Sequence, residues 1–290
     1  MTQPNKNELM VVSGAATGIG AATAQELAAM GYHVLAGVRT DGEADGVRAP
    51  GVEPVTLDIT VPEHIESIAE RIADDPEERP LRAVINNAGI EINAPVEVLP
   101  LDLWRKQFEV NLFGHVAVIQ ALLPFLRTSR GRIVNISSVG GAAALPIFGA
   151  YAGTKFALEA ASDALRREVT AQGVQVVVVQ PGGVRTEMAA HSGKISLERA
   201  DKLSVEHQRL YGDLIKSTVA ANTAFLKRAL PAARAGVKIA RAATTARPRA
   251  RYTLGMDAAF TIPLARVLPA RLMDRVLSAS HRSQRNTSSH

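Results

Sequence analysis

The chain has 290 residues, of which 47% are hydrophobic and 21% are charged, and this composition predicts one α/β domain with an appendage. Cysteine is absent, which excludes disulfides and thiolate zinc sites. The N-terminus is polar and no run of about 18 uninterrupted apolar residues occurs, so we expect no signal peptide, no membrane span and a cytoplasmic location.

Charge is distributed unevenly along the chain. Residues 227–290 carry 13 Lys and Arg against 2 Asp and Glu, a net charge of +11, whereas the remainder carries 20 against 26, a net charge of −6. A basic segment can contact nucleic acid or an anionic membrane surface, or it can simply be solvated. Tyr252 and Phe260 are the only Phe, Tyr or Trp residues in this segment, so aromatic residues do not alternate with the basic ones, which favours a solvated surface. We expect no nucleic-acid partner, and membrane-surface contact by the basic C-terminus stays open.

A glycine-rich loop follows the first predicted strand. Residues 9–13 are typical of a fully buried strand, and residues 21–30 are typical of a helix. The loop between them reads Gly14-Ala15-Ala16-Thr17-Gly18-Ile19-Gly20. Such glycines permit a tight turn and let backbone amides approach a pyrophosphate. The loop therefore indicates a dinucleotide-binding site, with an ordinary β-to-α turn as the alternative.

The end of the second predicted strand bears on the choice of cofactor. This strand runs from His33 to Val38. An acidic residue at its end would bind the adenosine ribose and favour NAD(H), but Gly37 holds that position and Arg39 follows. Because a guanidinium pairs well with a 2′-phosphate, the sequence favours NADP(H) over NAD(H).

Two further strands are predicted before residue 90. Residues 55–59 are interpreted as the third strand, and Thr60 to Glu63 as a capping box that opens the next helix. Residues 81–85 are the fourth strand, which ends in Asn86-Asn87-Ala88-Gly89. A long amphipathic helix is predicted over 101–127.

The stretch from 131 to 172 contains the groups best suited to chemistry. A short strand precedes Asn135, so Ser138 follows a strand end, where α/β sheets bind ligands. Tyr151 and Lys155 lie four residues apart on a predicted helix and share one face. An ammonium near a phenol lowers the phenol pKa, so Tyr151 is a candidate general acid or base, with Ser138 bonding the reacting oxygen.

The remaining chain is interpreted from pattern alone. Residues 174–179 form a buried strand, residues 187–230 are helical, and residues 251–254 form a last edge strand. Residues 260–277 are amphipathic, and residues 278–290 are predicted to be disordered. His191 and His207 show no metal-ligand spacing, so no metal site is expected.

These motifs resemble the short-chain dehydrogenase/reductase family in its classical single-domain form, including its steroid and retinol dehydrogenases. Ser138 with Tyr151-x-x-x-Lys155 is similar to the active site of that family, and the other motifs follow in its order over residues 9–188. The resemblance implies that Asn111 is a fourth catalytic residue, which holds a water in a proton relay. NAD(H) stays the alternative cofactor, because Ala16 and Thr17 stand where some NADP-preferring relatives have a basic residue.

The resemblance also implies which residues contact the cofactor. Asp58 would meet the adenine amine, Asn87 to Gly89 would pass close to the adenine ribose, and Val184 with Thr186 would hold the nicotinamide carboxamide. Lys155 would bond the nicotinamide ribose. The full predicted set is Gly14, Thr17, Gly18, Ile19, Gly20, Arg39, Asp58, Ile59, Asn87, Ala88, Gly89, Tyr151, Lys155, Pro181, Gly182, Val184 and Thr186.

The predicted fold is one doubly wound Rossmann-type α/β domain with a parallel sheet of about seven strands. It would span residues 1–255, with a variable substrate lid over 187–230 and a helical appendage and tail over 256–290. The resemblance implies a homodimer or homotetramer through the helices at 101–127 and 151–172.

The predicted function is interconversion of a carbonyl and an alcohol with a nicotinamide cofactor. The residues flanking the catalytic groups, from Val139 to Phe148 with Gly183 and Met188, are uncharged, which favours a bulky apolar substrate of steroid, retinoid or lipid type. Arg185 is the one nearby charge that would oppose this if it turned inward. A catalytically silent dinucleotide sensor stays open, as does an epimerase or dehydratase of the extended family, although little chain follows residue 190 for its larger substrate domain.

Overall fold

The computed structural model describes residues 7–275. Its strands are β1 (Leu9–Val12), β2 (His33–Val38), β3 (Val52–Thr56), β4 (Leu81–Asn86), β5 (Arg132–Ile136), β6 (Gln175–Pro181), β7 (Val184–Arg185), β8 (Leu230–Pro231) and β9 (Arg251–Leu254). Its helices are α1 (Gly18–Ala29), α2 (Asp41–Val47), α3 (Pro62–Ala73), α4 (Leu101–Phe108), α5 (Gly114–Ser129), α6 (Gly149–Val169), α7 (Glu187–Ala200), α8 (Val205–Leu226), α9 (Ala232–Thr244) and α10 (Met256–Val267).

Seven strands form one parallel sheet in the order β3-β2-β1-β4-β5-β6-β9. The order reverses direction between β1 and β4, which is the crevice where open α/β sheets bind ligands. The predicted Rossmann-type α/β fold with about seven parallel strands is confirmed.

The sheet is covered on both faces, as the continuous apolar strands require. Met10 and Val12 pack in one core cluster with α1 and α9, whereas Leu9 and Val11 pack in the other with α3 and α5. All four side chains are fully buried. Alternation along a strand therefore supplies two cores from one run of apolar residues.

The third strand differs from the prediction. It occupies Val52–Thr56, three residues earlier than expected, and Pro54 lies inside it, which an edge strand tolerates. The apolar residues that suggested the later position, Leu57 and Ile59, are buried by packing in the loop after the strand. Burial without strand pairing produced the misplaced prediction.

The predicted capping box at Thr60 is also wrong. Helix α3 begins after Val61, which makes no side-chain cap, and Pro62 occupies the first turn. The Thr60 hydroxyl instead donates to Asp58 Oδ1 at 2.7 Å. The hydroxyl is thus used to hold the loop that carries Asp58.

The segment over 187–230 is helical, as predicted, and forms α7 and α8. Its two ends meet in a small parallel sheet, because β7 pairs with β8 through Val184 with Leu230 and Arg185 with Pro231. The two helices are held to the domain by a separate apolar cluster that includes Ile147, Ile215 and Ala200. The excursion therefore leaves the domain and returns to it at one place, beside the end of β6.

Residues after β9 form α10 and a further helical stretch over 270–275. The amphipathic segment predicted over 260–277 divides at Pro269, since Leu268 has the extended backbone that precedes a proline. The disorder predicted for residues 278–290 lies outside the described residues.

One helical segment among the described residues is long and apolar enough to cross a membrane by length and composition alone. It is Leu101–Ser129, whose most apolar window has a mean hydropathy of 1.4 and is 39% buried inside the protein. Val118, Leu122 and Leu126 from this segment pack in the core on the sheet. Core helices of water-soluble folds pass the same test, so this segment is weak evidence for a span.

Candidate active site

A cavity of about 390 Å³ opens beyond the carboxyl ends of β4, β5 and β6 and is roofed by α7 and α8. Ten of the predicted site residues line it: Ile19, Asn87, Gly89, Ser138, Tyr151, Lys155, Pro181, Gly182, Val184 and Thr186. The others lie off its walls, namely Gly14, Thr17, Gly18, Gly20, Arg39, Asp58, Ile59, Ala88 and Asn111. The structure thus brings three separate motifs, after β4, β5 and β6, to one cavity.

Tyr151 and Lys155 lie on the first turns of α6, as predicted. Lys155 Nζ is 5.7 Å from the centre of the Tyr151 ring and donates to the carbonyl of Ile136 at 2.9 Å. Lys155 is 4% exposed and is one of the residues that line the cavity. The carbonyl at the end of β5 therefore fixes the ammonium beside the phenol.

Ser138 lies two residues beyond β5 and begins a short 3₁₀ turn. Its Oγ accepts a hydrogen bond from Gly140 N at 3.0 Å, which fixes the hydroxyl on the cavity wall. Gly141 allows this turn to lie against the sheet, because a Cβ there would approach Ser137 Oγ to 2.6 Å. The turn aims the hydroxyl at the same space as Tyr151.

The electrostatics of Tyr151 differ from the sequence argument, which expected Lys155 to lower its pKa. Burial raises the pKa of Tyr151 well above its ordinary value, the negative charge of Glu91 raises it further, and a hydrogen bond with Ser138 opposes both. Burial also lowers the pKa of Lys155 to about 8, against the attraction of Glu91 and Glu159. Desolvation outweighs charge pairing here, so the phenol is held protonated at neutral pH.

Asn111 lies in a π-helical turn, Glu109–Phe113, between α4 and α5. Its side chain is fully buried: Oδ1 accepts from Ile90 N at 2.8 Å, and Nδ2 donates to Ile90 O at 2.9 Å. Nδ2 also lies 3.2 Å from Thr154 Oγ1 on α6. A π turn inside a helix often marks a functional position, and here it turns the amide toward the loop after β4 and the lysine helix.

His115 was not identified from the sequence, yet it holds the Asn-Asn-Ala-Gly loop from behind. It is fully buried, and its Nε2 donates to the carbonyl of Ala88 at 2.7 Å. Burial lowers its pKa to about 3, and the positive charge of Lys155 lowers it too. The imidazole is therefore neutral, and its role here is to position Ala88.

The glycine loop has the shape needed by a dinucleotide. Gly14 and Gly18 have φ of 61° and 60°, which side-chain-bearing residues rarely adopt. A Cβ on Gly20 would lie 2.2 Å from Gly14 O. The start of α1 can therefore pack against the glycine loop only because residue 20 has no side chain. The loop thus presents bare backbone at the N-terminus of α1, where Thr17 is the residue before the first turn, which fits a pyrophosphate.

Ser13 joins the glycine loop to the loop after β4. Its Oγ accepts from Asn87 N at 3.0 Å and from Ala88 N at 3.1 Å. In return, Asn87 Nδ2 donates to Gly14 O at 2.9 Å and Ser13 O at 3.1 Å. The Ser13 hydroxyl and the Asn87 amide therefore hold the glycine loop and the loop after β4 against each other.

Arg39 and Asp58 lie at the ends of neighbouring strands. The Arg39 side chain is 65% exposed and pairs with Glu43 across 3.1 Å, so its predicted phosphate partner would compete with a carboxylate. Asp58 Oδ1 accepts from Thr60 N and Oγ1 at 2.9 and 2.7 Å. Burial acts to raise the pKa of Asp58, but these hydrogen bonds outweigh it and the pKa is lowered. Ile59 packs on Gly114 instead of facing the cavity.

The loop after β6 meets the glycine loop on one side and α10 on the other. A Cβ on Gly18 would contact Thr186 Cγ2 at 3.2 Å, so the two predicted cofactor loops are neighbours. Thr186 caps α7, because its Oγ1 accepts from Ala189 N at 3.2 Å. Asp257 Oδ2 accepts from Gly183 N at 2.8 Å and leaves no room for a side chain at Gly182.

Two acidic residues of the cavity wall were missed from the sequence. Glu91 lines the cavity, accepts from Asn93 Nδ2 at 2.6 Å and has a pKa raised by burial. Asp257 lines it from α10. The flanking residues named from the sequence are uncharged, but the cavity wall also carries these two carboxyl groups. Arg185 does not add a positive charge, because it is exposed and lies off the cavity wall.

No group of three or more histidine, aspartate and glutamate side chains within residues 7–275 is placed to hold a metal ion. The titratable groups of the cavity are instead spaced for proton transfer and hydrogen bonding. Their arrangement can donate a proton from a buried phenol to an oxygen held by Ser138.

Comparison with known proteins places this geometry in a family. The sequence profile described as short chain dehydrogenase matches residues 8–195. The chain belongs to the short-chain dehydrogenase/reductase family. It is an NAD(P)-dependent oxidoreductase of that family, as the motifs predicted.

Similar family members are found among mammalian proteins. The chain is 33% identical over 287 residues to estradiol 17-beta-dehydrogenase 2 of Mus musculus, and the match covers 94% of this chain and 75% of that protein. It is 32% identical over 283 residues to dehydrogenase/reductase SDR family member 9 of Homo sapiens, and the match covers 93% of this chain and 87% of that protein.

A solved short-chain dehydrogenase from Burkholderia cenocepacia, described in complex with NADP, has a similar fold. The TM-score is 0.73 at 24% identity, and the match covers 93% of this chain and 98% of that one. At this identity the likeness shows the fold alone.

Proposed function

We propose that this family member interconverts a carbonyl and an alcohol on a bulky apolar substrate, with Tyr151 as general acid and base and NADP(H) as the preferred cofactor. The observation that carries the proposal is the meeting of Tyr151, Lys155 and Ser138 on one cavity beside the glycine loop. When bound, the nicotinamide supplies or accepts hydride at the carbon of the substrate. The residues of the chain would do the rest: they bind the cofactor, position the substrate oxygen and transfer the proton.

The glycine loop, the loop after β4 and the loop after β6 are suited to hold the cofactor. The bare backbone at Gly14, Gly18 and Gly20 fits the pyrophosphate at the start of α1. Thr186 and Val184 lie where the loop after β6 joins the cavity, beside Gly18. Their positions support a role at the nicotinamide half.

Tyr151 is suited to act as the proton donor. Burial and Glu91 raise its pKa, so the phenol carries its proton at neutral pH and can give it to a carbonyl oxygen as negative charge develops there. Lys155 would stabilise the resulting phenolate through its nearby ammonium. In the alcohol-oxidising direction, the same pair must accept the proton of the alcohol, so higher pH favours oxidation.

Ser138 is suited to position the substrate oxygen. Its Oγ already accepts from Gly140 N, so the hydroxyl proton remains for the substrate oxygen. A hydrogen-bond donor aimed at an oxygen that gains charge in the transition state lowers the activation barrier more than a donor that stabilises the ground state. Asn111, held by Ile90 and close to Thr154 on α6, is suited to hold a water that relays protons from the Lys155 side.

The cavity wall supports an apolar substrate. Leu145, Phe148, Met188, Phe225 and Leu226 contribute large apolar surfaces. Glu91 and Asp257 are both acidic, so a carboxylate or phosphate on the substrate would meet repulsion and lose its hydration. The name of the similar mouse protein, an estradiol dehydrogenase, is consistent with a bulky apolar ring system.

The preference for NADP(H) rests on Arg39. The side chain is exposed at the end of β2, where a 2′-phosphate would lie, and its pairing with Glu43 is a surface ion pair of small worth. A phosphate, with charge near −2, would displace the carboxylate as the stronger partner.

A substrate screen with both cofactors tests the proposal. Steroids, retinoids and lipid ketones, with their alcohols, are compared with short keto acids by nicotinamide absorbance. We expect turnover with bulky neutral compounds, and higher kcat/KM with NADP(H). Cofactor binding without turnover of any compound would instead favour the dinucleotide sensor, whereas clear preference for short anions would contradict the substrate class.

A further inference from the structure

The outer face of α10 is entirely apolar and exposed. Met256, Phe260 and Val267 are 71%, 70% and 80% exposed, and Leu264 is 38% exposed. Their spacing of four, four and three residues places them on one side of the helix. Ala259 and Pro263, also exposed, fall on the same side, so no charged or hydrogen-bonding side chain interrupts this stripe.

The inner face of α10 packs on the domain. Ala258 and Ile262 are buried, and Asp257 with Thr261 lines the active-site cavity. The domain covers this side only, so the exposed apolar stripe on the other side is a candidate docking surface next to the cavity.

Basic residues lie at the C-terminal end of this stripe and in the helical residues that follow it. Arg266 lies at its edge on α10, and Arg271 and Arg275 follow in the helical residues 270–275. All three are exposed, against one exposed acid, Asp274, in the same stretch. The partner should therefore offer an apolar interior to the stripe and negatively charged groups to the arginines.

A second copy of the chain fits this description less well. A two-fold contact would place the same patch of each copy face to face, which brings the arginines of one copy toward those of the other. Like charges set opposite each other are unfavourable. An anionic partner gains from the same arginines.

We propose that α10 and residues 270–275 dock the protein on an anionic lipid surface, with Met256, Phe260, Leu264 and Val267 entering the interface between head groups and acyl chains. A helix with one apolar side and flanking arginines binds such surfaces through apolar burial and electrostatic attraction together. Because the opposite side of α10 lines the cavity, docking places the cavity beside the lipid. This inference does not depend on the substrate or on turnover.

Sedimentation of the full chain with vesicles tests the docking. One set of vesicles is made of phosphatidylcholine, and the other contains phosphatidylserine as well. We expect binding to the anionic vesicles, little binding to the neutral ones, and weakening as salt rises. Failure of the unmodified chain to bind anionic vesicles at low salt overturns the proposal.

Variants locate the binding surface. Phe260→Ser with Val267→Ser should weaken vesicle binding by roughly tenfold or more, because two large apolar groups are removed from the interface. Arg266→Glu with Arg271→Glu should weaken it by at least roughly fivefold for each charge. Val205→Ser and Arg48→Glu, exposed changes outside α10 and outside the helices over 101–127 and 151–172, should leave it unchanged.

The other outcomes are also decisive. If the Phe260 and Val267 variant binds as tightly as the unmodified chain, another part of the basic C-terminal region does the docking and the assignment to α10 is wrong. If that variant changes the oligomer mass in light scattering and the unmodified chain binds no vesicles, the stripe is an interface between copies. Far-ultraviolet circular dichroism confirms that each variant remains folded.

Discussion

At the scale of single residues, burial controls the chemistry of the cavity. Tyr151 and Lys155 are adjacent, yet desolvation raises the pKa of the phenol and lowers that of the ammonium, and each change disfavours the charged form. Glu91 adds a carboxylate that the sequence did not connect with the site. The protonation states around the reacting oxygen are therefore set by three groups rather than two.

Glu91→Gln should reduce the discrimination against anionic substrates. Removing the carboxylate removes one unfavourable charge interaction, worth about 1–2 kcal/mol at a partly screened site, or roughly tenfold in relative kcat/KM. The measurement compares a keto acid with a neutral ketone of equal size. Glu109→Gln, an exposed change on the π turn, serves as control. An unchanged ratio would show that Glu91 does not face the substrate.

Arg39→Asp should move the cofactor preference toward NAD(H). The change removes the partner of the 2′-phosphate and supplies an acceptor for the ribose, and a hydrogen bond to a charged group is worth about 1.5–3 kcal/mol, or roughly 10 to 150-fold. The measurement is the ratio of kcat/KM with the two cofactors, and Arg48→Asp on the nearby exposed surface is the control. Equal use of both cofactors by the unmodified enzyme would contradict the premise.

At the scale of elements, one buried guanidinium connects the sheet to a helix end. Arg132 at the start of β5 is 1% exposed, and its two terminal nitrogens donate to Ala242 O and Thr245 O, each at 2.7 Å. These are carbonyls at the C-terminal end of α9, which have no partner within the helix. The positive charge also complements the negative end of the helix dipole.

Arg132→Met should destabilise the fold while leaving the cavity residues in place. Several hydrogen bonds from a charged donor are lost and the helix carbonyls stay buried, so we expect a loss of about 3 kcal/mol in the free energy of unfolding. Urea denaturation measures it, and Arg167→Met on the exposed face of α6 is the control. A loss equal to that of the control would mean that water replaces these contacts.

The elements also indicate how much the sequence could predict. The bounds of β2 and β9 were predicted correctly. The first is an apolar run and the second has the pattern of an edge strand, and turns bound both. The position of β3 was not, since Leu57 and Ile59 are buried by the loop rather than by pairing. The π turn at Asn111 depends on hydrogen bonds to Ile90, twenty-one residues away in sequence, which local pattern does not contain.

The site residues divide in the same way. Ser138, Tyr151 and Lys155 could be assigned to one cavity from the sequence, because their spacing along one strand end and one helix is the spacing that the proposed chemistry needs. Glu91 could not, because it follows the fourth strand as an ordinary polar residue, and only the fold brings it to the cavity wall beside α6 and α7. His115 was hidden for a similar reason, since its partner is a backbone carbonyl.

At the scale of the whole molecule, we propose that the chain forms a homodimer or homotetramer through the helices over 101–127 and 151–172. Leu101, Phe113 and Phe156 are 67%, 54% and 44% exposed on these helices. Large apolar residues exposed on neighbouring helices are typical of an interface between subunits.

Phe113→Ser with Phe156→Ser should shift the assembly toward a monomer, because the apolar centre of the proposed interface is lost. Light scattering coupled to size exclusion measures the mass. Val205→Ser, exposed on the lid helix α8, is the control and should keep the assembly. A mass that does not change in the double variant would place the interface elsewhere.

In the proposed reaction, Tyr151 exchanges the proton with the substrate oxygen. Turnover of Tyr151→Phe under saturating cofactor tests this role, with cofactor binding followed separately by nicotinamide fluorescence. We expect turnover to fall by at least roughly 10² to 10⁴-fold while cofactor still binds, since the ring is kept and only the hydroxyl is removed. Turnover close to that of the unmodified enzyme would contradict the assignment of Tyr151 as the general acid.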